Sequence, residues 1–184
     1  MLLDAKKSLL IIVDPQASLM PMVKNGPGVV AVTNKLVSIA RELDVPMIIT
    51  EHYPEGLKPT VSEIAEHMGD DYQPIYKTVF SCSGEPKFNE AVSRSGRKML
   101  VLTGIETHIC VLQTALQLKE AGYEVFVVAD GVSCRSDLDH ETALERMRGS
   151  GVELVTWEMV AYEWMRRADT PEFKKVLPHI KSGV

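Results

Sequence analysis

At 184 residues, 45% hydrophobic and 24% charged, the chain is sized and composed for one globular domain. Its net charge of −5 offers no basic face for a nucleic acid, and no apolar run approaches the ~18 residues of a membrane span. Three widely spaced cysteines, Cys82, Cys110 and Cys134, make neither a disulfide framework nor a zinc-finger pattern, which points to a reducing compartment.

The predicted elements alternate between strand and helix. Residues 9–13 are apolar, follow Lys6-Lys7 and precede Asp14. That run is too short for the apolar core of a secretory signal, so it reads as the first strand and the expected location is cytoplasmic. Val29, Val32, Leu36, Ile39, Ala40 and Leu43 recur on one face of a helix over residues 28–43. Residues 45–50 form the second strand, with Pro46 near its start, where a missing N–H is tolerated. Pro54, Gly56 and Pro59 mark a loop before a short helix over 61–68. A brief third strand covers 74–77, followed by a loop with Ser81, Ser83 and Gly84 and a helix over 87–95. The fourth strand, 99–102, stops at Gly104, and Cys110, Val111, Thr114, Ala115 and Leu118 then recur at helical spacing. The fifth strand, 124–129, stops at Asp130-Gly131; a helix over 137–148 is capped by Ser136 or Asp137. A sixth strand over 152–155 leads to terminal helices over 157–165 and 172–180.

This order predicts an α/β fold: one domain over residues 1–184, a doubly wound three-layer α/β/α sandwich around a six-stranded parallel sheet. Neither GxGxxG nor GxxxxGK[ST] follows the first strand, so no nucleotide cofactor is expected.

Asp14, Lys77 and Cys110 each fall at or just beyond the carboxyl end of a predicted strand, the edge where open α/β sheets bind ligands. Read singly, each has an ordinary role: Asp14 a turn residue before proline, Lys77 a loop lysine, Cys110 a small buried hydrophobe in a first helical turn. Together they make a chemically sensible set. An ammonium and a helix start favour thiolate over thiol, a carboxylate carries protons, and helix-start N–H groups hold an oxyanion.

Four segments carry a family likeness: Ile11-Ile-Val-Asp-Pro-Gln16, Tyr76-Lys-Thr-Val-Phe-Ser81, Leu102-Thr-Gly-Ile-Glu-Thr-His-Ile-Cys-Val111 and Asp130-Gly-Val-Ser-Cys-Arg-Ser136. On these the chain resembles the isochorismatase-like hydrolase superfamily, which includes nicotinamidases and carbamoyl-sarcosine amidohydrolases. It is most similar to the isochorismatase domain-containing subgroup, through Thr50-Glu-His-Tyr-Pro-Glu-Gly-Leu57. The resemblance implies a triad of Asp14, Lys77 and Cys110. It also implies a non-proline cis peptide between Ile105 and Glu106 that turns backbone N–H groups toward an oxyanion. A homo-oligomer, formed through the Arg135 region and the terminal helices, is a further implication.

Departures from the better-known relatives narrow the expectation. Nicotinamidases bind a metal through Asp-x-His after the second strand plus a further histidine. Here that stretch reads Glu51-His52-Tyr53, with His67 much later, so no metal is expected and His52 reads as a pocket-rim residue. Isochorismatases proper cleave a vinyl ether and can lack the cysteine, so Cys110 favours the thiol-dependent branch.

Gln16 is placed either against a substrate carbonyl or in the turn, and Tyr53 and Phe80 either on the cleft wall or in ordinary packing. His108 lies on a different face from Cys110; Cys82 and Cys134 read as structural; residues 19–22 read as a lid, a subunit contact or a packed loop. The function expected is a cysteine hydrolase of a small amide or related acyl compound, working through a thiolate and a thioester. Its partner is a small-molecule substrate, with no nucleic acid, membrane or cofactor. Two alternatives stay open: a vinyl-ether hydrolase using Asp14 as acid, and a non-catalytic protein that keeps the pocket. The substrate itself is not legible.

Overall fold

Alternating side chains of each strand feed two separate cores. In β1 (Ser8–Val13), Leu9, Ile11 and Val13 enter one core while Leu10 and Ile12 enter the other. The computed structural model describes residues 1–181. The remaining strands are β2 (Met47–His52), β3 (Ile75–Lys77), β4 (Met99–Ile105), β5 (Glu124–Ser133) and β6 (Glu153–Val155). They form one parallel sheet in the order β3-β2-β1-β4-β5-β6.

On one face, α1 (Gly26–Glu42), α3 (Ser62–Met68), α7 (Trp157–Met165) and α8 (Pro171–Lys181) pack on Leu10, Ile12, Ile49, Val101, Phe126 and Val128. On the other, α4 (Pro86–Ser95), α5 (Leu112–Glu120) and α6 (Asp137–Gly149) cover Leu9, Ile11, Leu100, Leu102, Val125 and Val127. The expected doubly wound three-layer α/β/α fold is therefore present. Its strand order reverses between β1 and β4, which opens a crevice beyond their carboxyl ends.

Three local expectations need correction. The loop after β2 contains a single helical turn, α2 (Pro54–Leu57), which Tyr53 enters at φ +40°. Both β4 and β5 run past their predicted ends. Pairing steps from Leu102↔Val127 to Gly104↔Val132, so the intervening β5 residues bulge while the strand continues to Ser133. The Asp130-Gly131 pair thus bends a strand instead of ending it. The Thr103 hydroxyl closes the bulge by donating to the Gly131 carbonyl at 2.6 Å.

The third correction concerns the chain between β4 and α5. Residues Thr107–Val111 form one widened turn, in which the Val111 N–H donates to the Glu106 carbonyl five residues back at 3.3 Å. Such widened turns are rare and tend to occur at functional sites. Cys110 lies inside this turn, two residues ahead of the regular helix.

Candidate active site

Three strand ends deliver the reactive groups. Asp14 follows β1 with φ +46°, a left-handed conformation unusual for a side chain other than glycine or asparagine. Two backbone bonds hold it there: Asp14 N–H to the Thr50 carbonyl at 3.2 Å, and Gln16 N–H to the Asp14 carbonyl at 2.8 Å. Lys77 is the last residue of β3, and its ammonium donates to Asp14 Oδ2 at 2.6 Å. The same ammonium donates to the carbonyls of Phe80 at 2.9 Å and Val79 at 3.2 Å, which ties down the loop after β3. It also lies 3.6 Å from Cys110 Sγ. Both side chains of the Asp14–Lys77 pair are 0% exposed, and Cys110 is 7% exposed.

Burial decides the charge states. It pushes the Cys110 thiol far above its ordinary range, and the Asp14 carboxylate adds to that push; Lys77 opposes both and does not win. These surroundings favour the thiol over the thiolate: burial weighs most, and Asp14, the nearer partner of Lys77, offsets the ammonium's charge at the sulfur. For Lys77 itself burial favours the neutral form, but Asp14, joined by Cys82 and Cys110 where they ionise, outweighs it, so its pKa rises. Cys82, fully buried beside the site, is raised to about 11 from 9.0 by burial and then by Asp14. Burial and Lys77 lower the pKa of His52, which keeps its imidazole neutral at pH 7.

These shifts predict an alkaline weakness. Lys77, Cys82 and Cys110 all hold their protons more tightly in the folded chain than in the unfolded one. A raised folded pKa contributes stability below the unfolded value and loses it as pH climbs through the folded value. The urea midpoint is therefore expected to fall from about pH 9 upward, and Cys82→Ala should reduce the slope between 9.0 and about 11. A midpoint flat from pH 8 to about pH 11 overturns this assignment of protons.

The other candidates divide into those beside the triad and those used elsewhere. His52 ends β2 and stacks on Phe80, with ring centroids 5.3 Å apart at 29°. Phe80 and Tyr53 are 54% and 52% exposed. Gln16 is fully buried and differently occupied. Its amide nitrogen donates to the His52 and Lys58 carbonyls at 2.9 and 2.7 Å, and its oxygen accepts from His52 N–H at 2.7 Å. Both amide hydrogens are committed, so Gln16 braces the chain segments around Asp14.

The Ile105–Glu106 peptide is cis. Ile105 is packed under Met20, Val23 and Val29, which seats residues 19–22 against the end of β4. Glu106 is buried and accepts from Arg135 Nε at 3.0 Å, so Arg135 anchors the chain after β5 to the reactive turn. His108 is half-buried in that turn, and Cys134 donates to the Ser136 carbonyl at 3.0 Å.

A cleft of about 640 Å³ opens beside β3 among Glu51, Pro59, Tyr72, Tyr76 and Lys77; neither Asp14 nor Cys110 lines it. Glu51 Oε1 is held there by Thr60 N–H and Oγ1, both at 2.8 Å, and by the Tyr72 hydroxyl. His67 is engaged with Ser38 at 2.8 Å, away from His52. Among the described residues no group of three or more His, Cys, Asp or Glu side chains is placed to hold a metal ion.

Sequence reasoning overlooked Thr50, whose hydroxyl donates to Asp14 Oδ1 at 2.7 Å. The available signal was a hydroxyl closing the otherwise apolar run before Glu51.

A carboxylate, an ammonium and a thiol thus meet at the reversal point of a doubly wound α/β sheet, the edge where open sheets of this class bind their ligands. The chain belongs to the isochorismatase family, whose isochorismatase domain matches residues 8–159. It is 40% identical over 179 residues to isochorismatase domain-containing protein 2A of Mus musculus, covering 97% of this chain and 85% of that one.

Among solved structures, one described as MAR1 ribonuclease from Caenorhabditis elegans superposes with a TM-score of 0.92 at 34% identity, over 100% of this chain and 94% of that one. YcaC from Pseudomonas aeruginosa, solved with hexane-2,5-diol and covalent acrylamide, gives 0.89 at 28% identity over 97% and 91%. YcaC from Escherichia coli, described as an octameric hydrolase of unknown specificity, gives 0.89 at 27% identity over 97% and 90%. No described helix is long and apolar enough to cross a membrane.

Proposed function

We propose that this chain is a cysteine hydrolase that opens a small amide or related acyl compound through Cys110. The observation that carries the reading is the fully buried Lys77 ammonium, 2.6 Å from Asp14 Oδ2 and 3.6 Å from Cys110 Sγ.

Because Cys110 rests as a thiol, its proton leaves as the sulfur attacks the carbonyl carbon, and Asp14 receives it. Lys77 stays protonated, orients Asp14 and offsets negative charge as it develops. The carbonyl oxygen becomes an oxyanion facing backbone N–H groups near Glu106 and Cys110. The tetrahedral intermediate collapses, Asp14 returns the proton to the departing nitrogen, and a Cys110 thioester remains. Water then attacks the thioester while Asp14 takes its proton; the C–S bond breaks, the thiol is re-formed and a carboxylic acid leaves.

The P. aeruginosa neighbour's covalent acrylamide suggests the probe, since acrylamide is both a thiol electrophile and a small amide. At neutral pH one acrylamide adduct is expected on Cys110, located by peptide mass mapping and formed faster than on a free thiol. Across a panel of amides, ureides and vinyl ethers, Cys110→Ala is expected to lose about 10³-fold or more of amide turnover, as does Asp14→Asn. Turnover that survives Cys110→Ala but not Asp14→Asn would instead identify acid-catalysed vinyl-ether cleavage. An unreactive Cys110 with no turnover on the panel would mark a non-catalytic pocket.

A further inference from the structure

Asp14 is gripped from two sides, and the reading above uses only one of them. Lys77 holds Oδ2, while Thr50 holds Oδ1 at 2.7 Å and also accepts the Asp14 N–H on its backbone carbonyl at 3.2 Å. An ionised carboxylate only accepts hydrogen bonds, so the single hydroxyl proton of Thr50 is directed at Asp14. The same hydroxyl lies 3.6 Å from Cys82 Sγ. With its own proton committed, it accepts there, which makes the Cys82 thiol the donor.

Cys82 is in turn fixed from α5, since its N–H donates to Thr114 Oγ1 at 2.9 Å. The result is a buried one-way chain from Cys82 through Thr50 to Asp14, with all three residues fully buried. Nothing in the attack on a carbonyl requires Cys82, yet its thiol is placed where only a neutral donor fits.

We propose that Thr50, oriented by Cys82, is a positioning residue that locks the Asp14 carboxylate plane and tunes how readily Asp14 takes the Cys110 proton. This rests on Asp14 acting as the proton acceptor for Cys110. The titratable groups facing Asp14 are Lys77 from β3, Cys82 from the loop after it, Cys110 from the widened turn and His52 from β2. Removing a donor from a carboxylate favours its protonated form. Losing the Thr50 hydroxyl therefore moves proton acceptance to higher pH as well as loosening the geometry.

The test is the pH dependence of acrylamide addition to Cys110, followed by peptide mass mapping. Thr50→Val is expected to shift the acidic limb upward by about one unit, a tenfold change at fixed pH on that limb. Thr50→Ser should restore the wild-type profile, and Cys82→Ala should give a smaller shift in the same direction. The shift must also persist in a His52→Gln background, since His52 titrates on the acid side. Where Thr50→Val does not fold, the smaller Thr50→Ala carries the same expectation.

A Thr50→Val or Thr50→Ala profile superimposable on wild type, with Asp14→Asn still unreactive, overturns this inference and leaves the hydrolase reading standing. Asp14→Asn reacting like wild type overturns the reading beneath it.

Discussion

Lys77→Met is expected to abolish hydrolysis and to lower stability by about 3–5 kcal/mol, read from urea midpoints at pH 7. Methionine keeps the unbranched stem of lysine but removes the ammonium, so packing is largely preserved and the loss is electrostatic. What remains is the Asp14 carboxylate, 0% exposed, keeping the Thr50 hydroxyl but losing its only ion partner among the described residues. An unpaired buried charge is far costlier than the pair was favourable.

One further result separates this account from simple packing damage. The double variant Asp14→Asn/Lys77→Met should recover most of the stability and none of the activity, a coupling that a double-mutant cycle reads directly. A Lys77→Met loss below about 1 kcal/mol would remove the basis for treating the pair as a charged unit.

Gly104→Ala is the second large effect, expected at about 3 kcal/mol or more. Gly104 sits at φ +118°, a conformation that side chains rarely adopt, and an added Cβ would lie 2.1 Å from the Val13 carbonyl oxygen. The nearest atoms met are all backbone of Val13 on β1, which is in register with Gly104 on β4. Relief requires the strands to part, and Val13 immediately precedes Asp14. Activity is therefore expected to fall alongside stability, even in molecules that remain folded. Gly149→Ala at the end of α6 is the control, with nothing within 4 Å of the added carbon. It should change stability by less than about 1 kcal/mol. Equal thermal shifts for the two substitutions would contradict the steric argument.

Much of the architecture was legible because the strands are short apolar runs separated by helical periodicity. Asp14 and Lys77 were found as the polar residues that end such runs, and the structure places the Lys77 ammonium within reach of both Asp14 and Cys110. The continuation of β5 through Asp130-Gly131 was not legible, because a turn dipeptide looks the same whether it ends a strand or bulges within one. Gln16 stood open between a substrate contact and a turn role, because spacing does not tell that its hydrogen bonds close around residues 36 and 42 positions away. Thr50 stayed unnoticed and Cys82 read as structural because their significance lies wholly in which atoms they face. The charge state of Cys110 depended on the competition between Asp14 and Lys77 at one sulfur, a difference of distances that spacing along a chain does not encode.

β3 is attached to the sheet by three rungs, Thr50↔Ile75, Glu51↔Tyr76 and His52↔Lys77, and among the described residues no strand pairs with its other side. Such an edge is where a folded domain opens first, well below its global unfolding free energy. The last rung carries the lysine, so the ion pair to Asp14 rivets this edge to the middle of the sheet. Fraying at that edge would withdraw the ammonium while β1 and β4 keep Asp14 and the cysteine turn in place. Loss of the site by local opening is therefore expected ahead of loss of the core.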